Sequence, residues 1–158
     1  IGNHAAIITY RNEPLFNKIR DFLNDIGYRG FSNFDIKYDA ENDTCRVFEI
    51  NLRQGRSNYY VTGSGINIAR LIVEDCFDTL GDEIIYGKPD TFWHTVPLGV
   101  IYKYTADKSL VEKAKMIVKS GNVSSSLGYG YDLRINPCRY AYFLIHNFRY
   151  YKKYRLYH

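Results

Sequence analysis

The chain has 158 residues, 46% of them hydrophobic, and a formal net charge of +4. That length predicts one globular domain, or a large lobe of something bigger, with enough apolar residues for a real core. No run approaches the ~18 uninterrupted apolar residues that a membrane-spanning helix needs, and the opening IGNHAAIITY has neither the basic region nor the cleavage site of a secretory leader.

The first residue is Ile1 rather than a Met, which points to a segment cut from a longer protein. Cys45, Cys76 and Cys138 are odd in number and widely spaced. They match no zinc hook or CxxC motif, and the expectation is free thiols in a reducing, cytoplasmic setting.

Residues 5–10, AAIITY, read as a short strand. Residues 12–27 give the clearest helix. Asn12 caps it, Glu13 and Pro14 sit in the first turn, and Gly27 closes it. Leu15, Phe16, Ile19, Phe22, Leu23 and Ile26 recur at helical spacing, so this stripe is expected in the core. Tyr28 to Lys37 reads as a strand, DAENDT (39–44) as a hairpin turn, and Arg46 to Asn51 as the return strand. The acidic turn lacks the glycine and distal Glu of a calcium loop, so it reads as a solvated hairpin tip.

Residues 53–65 are expected to be a loop, and Ile66 to Leu80 a second helix stopped by Gly81. The Gly-Ser-Gly before that helix is a weak anion signal. No GxGxxG or GxxxxGK[ST] occurs, so neither a Rossmann cofactor nor a Walker-type phosphate loop is supported. Residues 82–96 are mixed in character, and Val96 to Tyr104 reads as a strand. Asp107 caps a third helix with Leu110, Val111, Ala114, Ile117 and Val118 on one face, ended by Gly121. Residues 122–140 read as a long loop and residues 141–158 as helix. No internal repeat is visible. The order of elements predicts an α+β fold with a largely antiparallel sheet flanked by helices.

The tail FRYYKKYRLYH carries Arg149, Lys152, Lys153 and Arg155 against no acid. A basic, tyrosine-rich segment suits nucleic acid or an anionic surface. The favoured reading is a helix or strand with a solvated basic side and its tyrosines packed on the body. No nucleic-acid-binding motif accompanies it.

The densest polar pattern lies in residues 33–58, NFDIKYDAENDTCRVFEINLRQGRSN. Glu49 and Asn51 are two apart on a strand and point to one face, and Arg53 continues that parity. Closing the hairpin brings Asp35 opposite or near Glu49. Three oxygen donors on one patch suit a hard cation such as Mg²⁺, and an arginine beside a metal-bound phosphate stabilises charge during phosphoryl transfer. On patterning alone, an exposed sheet face with a Glu49–Arg53 surface ion pair explains the same residues.

FEINLRQGRSN (48–58) resembles the Glu-x-Asn-x-Arg signature near the end of ATP-grasp domains. NFDIKYD (33–39) resembles the earlier metal-ligand strand of that superfamily. With the hairpin and TGSGINIARL (62–71), the pattern is most similar to the D-aspartate ligase and carboxylate–amine ligase branch. The resemblance covers residues 1–80 well and residues 81–158 in outline. It implies two parts: residues 1–80 as the C-terminal ATP-grasp subdomain, and residues 81–158 as a family-specific extension on the same lobe.

The resemblance further implies that Asp35, Glu49 and Asn51 are metal ligands and that Arg53 is the catalytic phosphate contact. Arg56, Ser57 and Asn58 would touch substrate or acyl-phosphate. ATP is the implied cofactor, with two Mg²⁺ ions or Mn²⁺ in their place. A carboxylate and an amine are the implied substrates, D-aspartate and a cell-wall precursor or peptide among them. Two features depart from the pattern: Leu52 stands where Pro is common, and Asp35 where a longer Glu or Gln is frequent. The lysines that hold ATP phosphates lie, in the superfamily, upstream of the position of Ile1. The isolated chain is therefore expected to lack activity without the N-terminal lobe. The rival readings are a non-catalytic grasp-like module that binds a partner, and a basic nucleic-acid-binding module. His4, His94, His146 and His158 take no assigned role and read as structural or surface histidines.

Overall fold

A computed structural model describes residues 4–127 and 135–157. The elements in chain order are β1 (Ala6–Ile8), α1 (Glu13–Asp25), β2 (Asn33–Asp39), β3 (Thr44–Asn51), α2 (Tyr59–Gly63) and α3 (Ile68–Cys76). They continue with β4 (Phe92–His94), α4 (Leu98–Tyr104), α5 (Lys108–Lys119), β5 (Val123–Ser125) and α6 (Pro137–Tyr157). Helices and small sheets of both kinds make this an α+β chain. Two compact units divide it: Tyr10–Asn58, and the described residues on either side of that segment. The boundary expected after residue 80 falls inside the larger unit.

The larger unit is built on β4. This strand pairs antiparallel with β1 and parallel with β5, giving the order β1-β4-β5. All three of its residues, Phe92, Trp93 and His94, are buried, as a central strand covered on both faces should be. Asp107 caps α5 by accepting hydrogen bonds from the backbone of Ser109 and Leu110. The buried Val111, Ala114 and Ile117, three apart, turn one stripe of α5 inward. Ala114 and Ile117 meet Phe92, with Ala6, Ile8, Leu98, Ile101, Tyr102 and Val118 packed around them. Gly121 ends the helix segment at φ +81°, a conformation glycine adopts without a Cβ penalty.

Three expectations fail here. Residues 96–104 are not a strand. Val96 is buried beside β4, and Pro97 opens α4, its carbonyl accepting from the amides of Val100 and Ile101. Proline at a helix start gives up no hydrogen bond and brings a preset φ, and this outweighs the strand preference of the Val-Ile-Tyr run. The strand of this region lies earlier, at Phe92–His94. Residues 53–65 are not wholly loop, because α2 occupies Tyr59–Gly63 and packs against β4 and β5. Its YYVTG sequence has poor helix propensity, so tertiary contact supplies the stability. Residues 122–140 hold β5 and the start of α6, while the part of that loop at 128–134 lies outside the described residues.

The smaller unit contains α1 and the β2–β3 hairpin. The side chain of Asn12 accepts from the amide of Leu15, 3.1 Å away, and Gly27 takes φ +65° beyond the helix end. The apolar stripe of α1 is not a core, contrary to expectation. No α1 residue is buried, and Phe22 and Ile26 are 43% and 56% exposed. One helix on a two-stranded ribbon has too few layers to enclose an apolar stripe. Phe22 does meet Phe34 of β2 edge to face, with ring centroids 6.3 Å apart.

Candidate functional site: one face of the hairpin

The turn between β2 and β3 closes on its own side chains. Asp39 accepts from the backbone of Glu41 and, through its other oxygen, from the Asn42 side chain at 2.9 Å. The Tyr38 hydroxyl donates to Asp43 at 2.8 Å. The Asn42 bond holds the Asp39 carboxyl below its usual range, and the Asp43 contact raises the Tyr38 phenol. These carboxylates hold the turn together, as a solvated hairpin tip requires.

The turn fixes the register. Asn33 pairs with Asn51, Phe34 with Ile50 and Asp35 with Glu49; Ile36 then pairs with Val47, leaving Phe48 as an extra residue in a bulge. Paired residues share a face, so Asn33, Asp35, Glu49 and Asn51 stand together. Phe34 and Ile50 occupy the opposite face.

A chain of hydrogen bonds links this polar face. Asn33 Nδ2 donates to Asp35 Oδ1 at 3.1 Å on β2. On β3, Asn51 Nδ2 donates to Glu49 Oε1 at 2.8 Å, and Arg53 Nη2 donates to Asn51 Oδ1 at 3.1 Å. Arg53 also donates through Nη1 to the Gln54 carbonyl. Glu49 and Arg53 are therefore joined through the Asn51 amide. Glu49 and Arg53 are exposed, while Asp35 and Asn51 are half-buried.

The residues that follow divide. Arg56 is exposed, Asn58 half-buried, and Ser57 buried at 8% exposure. The Asn58 amide donates to the Gly55 carbonyl. A Cβ at Gly55 would stand 3.0 Å from Asn33 Oδ1 and 3.6 Å from Asn58 Oδ1, so a glycine lets this loop lie close to the hairpin's first residue. Asn33 is the member of the patch that the sequence reading left unassigned. Its signal was present: it stands two residues before Asp35, in the same strand parity.

Among the described residues, no group of three or more His, Cys, Asp or Glu could hold a metal ion. A cation on the hairpin would take its third protein oxygen from the Asn51 amide. His94 lies elsewhere, stacked on Phe92 with Nδ1 2.9 Å from the Val96 carbonyl, and so is a satisfied structural histidine. Cys45, Cys76 and Cys138 are free and exposed. No described helix is long and apolar enough to cross a membrane.

No protein-family model matches the chain, and no solved structure matches it. In sequence, however, the chain is related to a ligase. Over 153 residues, 94% of its length, it is 34% identical to a D-aspartate ligase from Enterococcus faecium (strain Aus0004). The chain spans 36% of that relative's length.

Proposed function

We propose that this chain is the C-terminal part of an ATP-grasp carboxylate–amine ligase whose cation- and phosphate-facing surface is the polar side of the hairpin. One observation carries the reading. The pairing of Asp35 with Glu49 gathers two carboxylates, the Asn51 amide and the Arg53 guanidinium on one face, in a chain related to a D-aspartate ligase. The donor set fits magnesium, a hard cation that takes oxygen ligands and keeps several positions for phosphate and water. Asp35, Glu49 and Asn51 would hold it. When bound, it would neutralise charge on the β- and γ-phosphate oxygens.

In this reading a substrate carboxylate oxygen attacks the γ-phosphorus of ATP, and ADP leaves. The amine nitrogen then attacks the acyl carbon, loses its proton, and expels phosphate to leave an amide. Arg53 meets the phosphoryl oxygens as negative charge gathers on them. Its reach is set by the bond to Asn51, which ties the guanidinium to the metal-binding strand. Arg56, Ser57 and Asn58 form the loop beside the patch, the place for contacts to substrate or acyl-phosphate. The relative's name suggests D-aspartate as a substrate; another amino acid in its place, and a cell-wall precursor or peptide as the molecule it joins, are what the family resemblance of the sequence implies. The nucleotide's remaining contacts would come from an N-terminal lobe.

The test is Glu49→Ala in the full-length protein. Phosphate release that depends on both ATP and amine should fall below detection, with the melting temperature unchanged because Glu49 is exposed. Turnover at the level of the unaltered protein would overturn the assignment.

A further inference from the structure

Helix α6 carries the basic tail, and its faces differ in kind. Phe143, His146, Asn147, Tyr150 and Tyr154 are partly buried and lie within one arc of the helix. This is the side turned to the body of the larger unit, where α6 packs against α4 and Tyr154 meets Tyr104 at 5.6 Å. The opposite arc is open. Phe148 stands there one turn beyond both Leu144 and Ile145; the three are 81%, 48% and 54% exposed, and Leu156 follows at 72%. The exposed Arg149, Lys152 and Arg155 share this arc, the exposed Lys153 stands at its edge, and residues 137–157 include no Asp or Glu.

We propose that this outward face of α6 seats on the surface of an anionic phospholipid bilayer. Exposed aliphatic and aromatic side chains, followed along the helix by cations that no acid of α6 opposes, match the two parts of such a surface. Leu144, Ile145, Phe148 and Leu156 enter the boundary of the acyl chains. The four cations reach the headgroup phosphates, their methylene stems lying along the apolar side chains. A second copy of the chain is a poor occupant, because its identical face would bring like charges together. Nucleic acid suits the cations and offers a stacking partner to Phe148, but it leaves the aliphatic Leu144, Ile145 and Leu156 without an apolar complement. The inference stands on α6 alone and does not rest on the ligase reading.

Co-sedimentation of the full-length protein with vesicles tests it. Binding is expected to phosphatidylcholine vesicles that contain phosphatidylglycerol, and not to phosphatidylcholine alone, and should weaken at high salt. The double variant Lys152→Glu/Lys153→Glu should lower the partition coefficient roughly tenfold or more. Phe148→Ser/Leu156→Ser should lower it at unchanged charge. All four positions are exposed, and circular dichroism checks that each variant keeps its fold. The inference is overturned if the protein ignores the anionic vesicles, if both variants bind them as well as the original, or if a single-stranded RNA oligonucleotide competes the protein off them.

Discussion

His94 is buried inside the sheet, and burial lowers its pKa although the Val96 carbonyl partly opposes the shift. The folded protein therefore holds a neutral imidazole where the unfolded chain would titrate at about 6.5. Between the lowered folded value and ~6.5 the unfolded state binds more protons, so stability rises with pH through that window and is lost as pH falls. Melting temperatures should drop from pH ~7.5 to ~5.5, and the drop should shrink in His94→Gln; an equal drop in that variant would place the sensitivity elsewhere. Asn12 supplies a second residue-scale test. Its side chain satisfies an amide at the start of α1, and Asn12→Ala should cost about 1 kcal/mol in a denaturant titration. At this scale much was legible: Asn12 and Asp107 were visible as caps, because a capping side chain acts on amides two or three residues away. The bond of Asn33 to Asp35 was just as local but lacked a named motif.

Among the elements, the long helices and the hairpin were legible, and the short pieces were not. Helix α5 shows its inward stripe in the spacing of Val111, Ala114 and Ile117. The three-residue strands β4 and β5 are too short to show any alternation, and α2 is held by its neighbours rather than by its own propensity. Gly63 displays that dependence. A Cβ there would overlap the Ser124 side chain at both Oγ and Cβ, so α2 lies against β5 only because this position has no side chain. Gly63→Ala should destabilise the protein by about 1–3 kcal/mol, read from the midpoint of urea unfolding. Ser124→Gly combined with it should recover part of the loss; no recovery would mean that the contact is not the cause.

On the scale of the whole chain, burial is unevenly shared. Every buried apolar residue described, from Phe92 to Ile117, belongs to the larger unit. The unit at Tyr10–Asn58 carries the candidate site and buries only Ser57 below a tenth of its surface. Local opening costs least where few apolar contacts are broken. Amide hydrogens of β2 and β3 should exchange at least tenfold faster than those of α5, measured by mass spectrometry on pepsin fragments; equal protection would refute the ranking. Periodicity alone could not foresee this. It identified the apolar stripe of α1 but carries no count of the layers available to cover it.

The bulge at Phe48 has one more effect, on tolerance to changes of chain length. In an ordinary ribbon, losing one residue inverts every side chain beyond the cut, and Glu49 would trade faces with its neighbours. Here the surplus residue already stands outside the pairing. Removing Phe48 would leave Ile36 opposite Val47 and Asp35 opposite Glu49, with only the local bend relaxed. The hairpin therefore has one position where a deletion is silent in register. The alignment of the carboxylates and the curvature of the strand that bears them can then vary independently.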